Sequence, residues 1–430
     1  MLGLDPFNRE KLESIRPPGE YRFHGLLDRS QVSGASSFDF KALLQQAEQG
    51  LESFQGPVDA ILNFWDFPAS GIHSILCERH GLPGPSLDAV VKCDHKYWSR
   101  LEQEKSVPEV VPSYHVFDPF EHDSLDDIPL EPPFWVKPVL SFSSYMAFLV
   151  EDAQDFRLSA EALKKGASRF GRPFLDMMNH LHRRPESKFR NPNLCLAEAP
   201  LRGQQCTVEG YCLGGKVESH GIVDTHWFDD DSEPSRYQYP SSLPSDAQEE
   251  TIELSRRVLK GIGYDNAGYN IEYYYDKEND DLGLLEINSR VSQSHSHIFE
   301  AVDGKSNHEP VLSVAEGRWP DMPKRKGEHH VAAKFFVRRF RDKDAVVKRI
   351  PTKEEIAQIE REFPGTVVQL GITEGMRLSD VLDQDTYSQR LAMVHTGAED
   401  EKRLLEKFLR IQKRLDFDMA PLQTSALPAP

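Results

Sequence analysis

The chain has 430 residues, 28% of them charged and 39% hydrophobic, and a net charge of −18. That length allows two or three domains with sizeable cores. The acidic balance argues against a general nucleic-acid or anionic-membrane binder, and no apolar run reaches the roughly 20 residues that span a bilayer.

The N-terminus, MLGLDPFNREKLE, lacks a basic n-region and an apolar h-region, so no secretory signal is expected. Val58–Asp66 (VDAILNFWD) predicts a buried strand. SGIHSILCERHG then predicts a helix with Gly81 as C-cap. No G-x-G-x-x-G marks this region as a dinucleotide site; it reads as a scaffold beside a cleft. Lys96 follows Asp94, a candidate N-cap for a short helix. Pro133–Val139 (PFWVKPV) predicts a strand with Lys137 near its end, running into the hydroxyl-rich loop LSFSSYMA with Ser141, Ser143 and Ser144. Lysines beside such a loop suit anion binding through charge and backbone N–H groups. Residues 155–190 read as mostly helical, with a solvated basic patch at His180–Arg184.

Gly214-Gly215 between alternating segments predicts a tight hairpin. Ser245 and Gln248 form a capping-box pattern before a helix closed by Gly261 or Gly263. Ala267–Arg290 (AGYNIEYYYDKENDDLGLLEINSR) predicts two antiparallel strands. With Lys277–Asp281 as the loop, Glu272 faces Glu286 and Asn270 faces Asn288, and Arg290 shares the Glu286/Asn288 face. Facing carboxylates repel unless a cation lies between them, and a hard divalent ion such as Mg²⁺, which usually brings nucleotide phosphates, supplies that charge. An exposed polar face on an ordinary hairpin is the alternative. SQSHSHIF (Ser292–Phe299) follows. From about His329 a new unit starts, with strand, helix, strand and a final helix over AEDEKRLLEKFLRIQKRL. The tail APLQTSALPAP is expected to be disordered. Cys77, Cys93, Cys195, Cys206 and Cys212 contain no C-x-x-C pair, which suits reduced thiols in a cytoplasmic protein.

The ordered set Lys96, Lys137 with its serine loop, EAPLRGQQCTVEG, Glu272 and E-I-N-S-R resembles the ATP-grasp superfamily, specifically its carboxylate–amine ligases. The flavour is that of L-amino-acid ligases and carnosine-synthase-like enzymes, with a more distant likeness to biotin carboxylase. The resemblance implies an α+β/α/β architecture: a Rossmann-like pre-ATP-grasp domain (1–92), an ATP-grasp domain (93–328, lid about 130–203), an α+β domain (329–420) and a tail (421–430). It implies ATP held through Lys96, Lys137, Ser143 and Ser144, with Glu198, Ala199 and Leu201 at the adenine. Gln205 stands where the family usually has a ribose-binding glutamate, and the serine loop lacks the family's lid glycines. Glu272, Glu286 and Asn288 are implied to bind Mg²⁺, as one ion or two, with Mn²⁺ as an alternative ion.

The implied reaction joins a small carboxylate to an amine through an acylphosphate. Arg290 is the implied catalytic cation at the transferring phosphoryl and the oxyanion; a salt bridge to a metal carboxylate is its alternative. Arg236, Ser292, Ser294 and His295 are candidates for substrate contact, Arg236 with a structural ion pair as the other reading. A phosphotransferase on the same scaffold and a nucleotide-binding regulatory protein without turnover are the competing functions. The expected partners are small molecules, with neither nucleic acid nor membrane; a homodimer stays open.

Overall fold

The computed structural model describes residues 1–16, 19–33, 37–122, 124–141, 145–228, 233–340, 344–380 and 388–422. They form two compact units. The first contains Met1–His220, Leu243–Ser292 and His308–Asp321; the second contains Gly221–Ser242, Gln293–Asn307 and the chain from Met322 onward.

At the start of the first unit, Val58–Asp66 runs extended and buries Ile61, Leu62 and Phe64, but it forms no named strand, contrary to the sequence expectation. Leu2 N donates to Leu62 O at 3.0 Å, and Leu2 makes a single parallel bridge to Leu27. Side-chain burial, not a ladder, holds the segment. The expected helix is Ala69–His80, stopped by Gly81 at φ 65°, where a side chain would be strained. Asp94 does not cap the next helix, Lys96–Ser106. It ends the preceding one, Leu87–Asp94, and His95 caps instead, its Nδ1 accepting from Trp98 N at 3.2 Å.

Four antiparallel strands follow: β1 (Tyr114–Phe117), β2 (Phe134–Pro138), β3 (Phe148–Val150) and β4 (Cys195–Glu198), in the order β1-β4-β2-β3. The helix Ala153–Gly166 lays Phe156 and Leu163 on Phe134 and Val136 of this sheet. Beyond it, β5 (Gln204–Leu213) turns at Gly214-Gly215, both at positive φ as a tight hairpin requires, into β6 (Lys216–Trp227). From Gly221 on, β6 belongs to the second unit, as does β7 (Pro234–Tyr239). The helix Ser245–Ile262 closes at Gly263, φ 79°. The expected capping box is not made: Pro244 is the N-cap, and Gln248 Nε2 donates to Leu243 O at 2.8 Å.

β8 (Ala267–Asp276) and β9 (Asp281–Asn288) form the predicted hairpin beside β5. Its loop is one residue shorter than expected, because Asp276 pairs with Asp281. Near the turn the register is therefore offset, with Tyr273 opposite Leu284. A β-bulge at Leu285 absorbs the difference, and Glu272 meets Glu286 and Asn270 meets Asn288 as the sequence predicts.

In the second unit, β10 (Val331–Phe340) lies between β7 and a long strand, β13 (Ser388–Ala398), which in turn pairs with β12 (Val367–Leu370). One face of this sheet packs Val223, Tyr239 and Ala332 against Phe299 and Val302 of the helix Ser296–Asp303. The other packs Phe335 and Val337 against Ile359, Leu404 and Ile411 from the helices Lys353–Glu362 and Glu401–Gln412. β11 (Ala345–Arg349) pairs with β14 (Asp418–Pro421), so Pro421 of the expected tail is in a strand, while 423–430 lie outside the described residues.

Candidate nucleotide and metal site

The first unit gathers both predicted lysines and two of the predicted acids, Glu198 and Glu286, into one cavity. Lys96, Lys137, Glu198, Glu286 and Asn288 all line it. Lys96 opens the helix Lys96–Ser106; its Nζ lies 3.1 Å from Glu286 Oε2 and donates to Ser141 O at 2.6 Å. Lys137, on β2, meets Glu198 Oε2 at 2.5 Å, β2 and β4 being paired neighbours. Glu198 is buried between two cations, since Arg100 Nε meets its Oε1, also at 2.5 Å. Burial alone would raise the Glu198 carboxyl, but Arg100 and Lys137 outweigh it and hold it at about 2.

Arg100 reaches further than that pair. Its Nη1 donates to Leu284 O at 2.9 Å and its Nη2 to Leu285 O at 2.8 Å, the two carbonyls at the bulge of β9. Arg100 was not singled out from sequence, although it lies one helical turn after Lys96, on the same helix face.

Glu272 and Glu286 face each other on β8 and β9, as paired acids should for a cation site. Burial, with Glu286 beside it, pushes the Glu272 carboxyl up to about 7. Burial also works against ionisation of Glu286, but Lys96 and Lys137 hold it below the ordinary range. Asn288 Nδ2 donates to Asn270 Oδ1 at 2.9 Å and to Glu272 Oε1 at 3.3 Å. With its nitrogen so engaged, its carbonyl oxygen is the atom left for a metal. Two hard carboxylates and an amide oxygen suit Mg²⁺. In this structure the Lys96 ammonium pairs with Glu286. Among the described residues, no group of three or more His, Cys, Asp and Glu side chains is arranged to hold a metal.

Arg290 makes a bidentate pair with Asp66, Nε to Oδ1 at 2.8 Å and Nη2 to Oδ2 at 2.9 Å, rather than a salt bridge to a metal carboxylate. Burial would lower the guanidinium; Asp66, Glu272 and Glu286 together raise it, so it stays charged. Nearby, Asp94 is buried and accepts from Ser70 Oγ at 2.8 Å and Ser289 Oγ at 2.9 Å, and burial pushes it up to about 7. Asp66 was missed in the sequence because it ends an apolar segment and meets Arg290 only in the fold.

The remaining predicted residues divide. Ala199 N donates to Ser113 O at 2.9 Å, and Leu201 lies against Gly283, where an added Cβ would stand 2.3 Å from its Cδ2. Gln205 turns to the acids: its Nε2 donates to Glu272 Oε2 at 2.9 Å. Ser143 and Ser144 lie outside the described residues. Ser292 belongs to the first unit, its N–H donating to Glu209 at 2.9 Å. Ser294, His295 and Arg236 belong to the second. There Arg236 Nη2 pairs with Glu401 at 2.7 Å on one face of the sheet, and His295 sits edge-on to Tyr237 on the opposite face. Strand alternation thus separates Arg236 from His295.

Residues 238–318 match the family model for the carbamoyl-phosphate synthase L chain, ATP binding domain. The chain is similar to an L-amino acid ligase from Bacillus licheniformis (16% identity, 88% of this chain and 85% of that one, TM-score 0.67). It is also similar to a biotin carboxylase from Campylobacter jejuni (15% identity, 92% and 81%, TM-score 0.59). A third likeness is to phosphoribosylglycinamide synthetase from Anaerococcus prevotii (13% identity, 97% and 98%, TM-score 0.59). No curated protein sequence matches the chain. The chain has the ATP-grasp fold, as its ordered motifs implied.

Proposed function

We propose that this protein is an ADP-forming ligase that joins a small carboxylate to an amine, with ATP and Mg²⁺ bound in the cavity of the first unit. The observation that carries this reading is the in-register pair Glu272/Glu286, with Glu286 and Asn288 lining the same cavity as Lys96 and Lys137. The similar L-amino acid ligase structure supports it by analogy of fold.

In this reading Lys96 and Lys137 leave their carboxylates for the phosphates, and Glu272, Glu286 and Asn288 hold Mg²⁺, or Mn²⁺ in its place. The ion neutralises phosphate charge. Glu198, Ala199 and Leu201 border the adenine, and Ser143 and Ser144 the phosphates. Gln205, bonded to Glu272, orients a metal ligand instead of a ribose. The substrate carboxylate oxygen attacks the γ-phosphorus, the bond to the β-phosphate oxygen breaks, and ADP leaves. The amine nitrogen then attacks the acyl carbon, the carbon–oxygen bond to phosphate breaks, and the amine proton passes to a base. Arg290, fixed by Asp66, faces the charge that develops in both steps. Ser292 is proposed on the acyl side, and Ser294 and His295 remain proposed substrate contacts of the second unit.

Residues 93–328 are proposed as the ATP-grasp domain, between a pre-ATP-grasp domain (1–92) and a C-terminal domain (329–420). Cytoplasmic residence is proposed from the five buried, unbridged cysteines. Among the described residues, no helix is long and apolar enough to cross a membrane. The test screens paired amino and carboxylic acids for ADP and phosphate release, with mass spectrometry of the product. Release that needs both a carboxylate and an amine is the expected result. Release with a single hydroxyl or phosphate acceptor makes the protein a kinase, and no release under any mixture makes it a binding protein.

A further inference from the structure

Asp94 ends the helix Leu87–Asp94, is 7% exposed, and takes no part in the proposed chemistry. Its two oxygens accept from two different serines, Oδ2 from Ser70 Oγ at 2.8 Å and Oδ1 from Ser289 Oγ at 2.9 Å. Both serines are buried, and both adjoin the pair that Arg290 makes with Asp66. Ser70 lies in the first turn of the helix Ala69–His80, where its N–H donates to Asp66 O at 3.3 Å. Ser289 directly precedes Arg290 in the chain.

These bonds close a ring within the first unit. It runs from Arg290 to the Asp66 carboxylate, from the Asp66 carbonyl to Ser70, from Ser70 to Asp94, and from Asp94 to Ser289. The peptide bond returns it to Arg290. The bidentate contact with Asp66 holds only the tip of the Arg290 side chain. Its backbone lies beyond Asn288, the last paired residue of β9, so the ladder does not reach it. The bond from Ser289 to Asp94 supplies an anchor at that root. A carboxylate is expensive to bury, and burial pushes Asp94 up to about 7 against its two hydroxyl donors. A neutral side chain would fill the same space without that cost, so the charge needs another explanation. Hydroxyl bonds to a charged acceptor are short and directional, as an anchor requires.

We infer that Asp94 is a positioning residue, which fixes the root of Arg290 through Ser289 while Asp66 fixes its tip. What Arg290 then does rests on the ligase reading, but the ring itself does not. A guanidinium displaced by about 1 Å would lose much of its hold on a developing charge without affecting ATP binding.

The test uses two measurements on the full-length protein and its variants. The first is hydrogen exchange at the Arg290 Nε–H, followed by NMR after arginine ¹⁵N labelling and assigned by its loss in Arg290→Lys. The second is kcat and KM with the substrate pair that the screen identifies. In Asp94→Asn and Ser289→Ala the Nε–H should exchange at least tenfold faster than in wild type. Both variants should also lose at least tenfold in kcat, with KM for ATP within twofold. Ser289→Thr, which keeps the hydroxyl, should stay within threefold of wild type in both measurements. Ser289→Ala decides the matter if Asp94→Asn fails to fold. Unchanged exchange overturns the inference, whatever the protein's activity. Faster exchange with normal kcat overturns the positioning role, and so does a Ser289→Thr variant that behaves like Ser289→Ala. If the wild type turns over no substrate pair, the ligase reading fails, and exchange alone decides whether Asp94 fixes Arg290.

Discussion

Glu198 is the residue on which the cavity's charge balance turns, because it meets Arg100 and Lys137 with one oxygen each. Its carboxyl is depressed from 4.5 to about 2 in the folded protein. The stability it contributes is therefore present above the unfolded value and is lost as pH falls through that window. Glu198→Gln should cost about 3–5 kcal/mol at neutral pH by leaving two buried cations unbalanced. In denaturant titrations the gap to wild type should narrow as pH falls from 4.5 toward 2; a gap independent of pH would contradict the assignment. Arg290 makes a different kind of prediction. Lysine cannot copy its fork onto Asp66. Arg290→Lys should reduce kcat about tenfold to a thousandfold, roughly 1.4–4 kcal/mol, with little change in ATP affinity. Early melting with normal turnover would make the pair with Asp66 purely structural. Sequence pattern placed Arg290 with Glu286 and Asn288, but not against Asp66, which lies 224 residues away and is brought there only by tertiary packing.

At the scale of elements, the β8–β9 hairpin shows what period-two reasoning can and cannot reach. Alternation located Glu272, Glu286, Asn270 and Asn288 on matching faces, and the structure pairs them so. The loop is nevertheless one residue shorter, and the bulge at Leu285 restores the pairing. Such a bulge has no local signature here, because what satisfies its carbonyls is Arg100, on a helix far earlier in the chain. Capping failed in the sequence for a similar reason. Asp94 has the composition of an N-cap, yet its carboxylate is taken by Ser70 and Ser289, and His95 caps the helix. Arg100→Met should destabilise the protein by about 3–5 kcal/mol, since it removes one of the two cations that balance buried Glu198 and leaves the Leu284 and Leu285 carbonyls without their donor. It should also speed hydrogen exchange along β9 more than along β1. Equal acceleration of both strands would show that Arg100 does not pin the bulge.

For the whole molecule, the ATP-grasp fold was legible from the order of motifs, Lys96, Lys137, Glu272 and E-I-N-S-R, although the serine loop lacks the family's lid glycines. The small N-terminal layer was not, since Val58–Asp66 has the apolar character of a strand without a ladder beside it. The five cysteines are buried without bridges, and burial pushes Cys77 up to about 12 and raises Cys93, Cys195 and Cys212 as well. The native protein should thus react with a thiol reagent far more slowly than the denatured one, in which all five react. Fast native modification of any of them would contradict their placement.

The central claim, that the cavity of the first unit holds the phosphates of ATP through Lys96 and Lys137, is tested most directly by calorimetric titration of MgATP into the wild type and into Lys96→Ala and Lys137→Ala. Each variant should bind MgATP at least tenfold more weakly, about 1.4 kcal/mol, with circular dichroism unchanged. Affinities within twofold of wild type, about 0.4 kcal/mol, would contradict the claim.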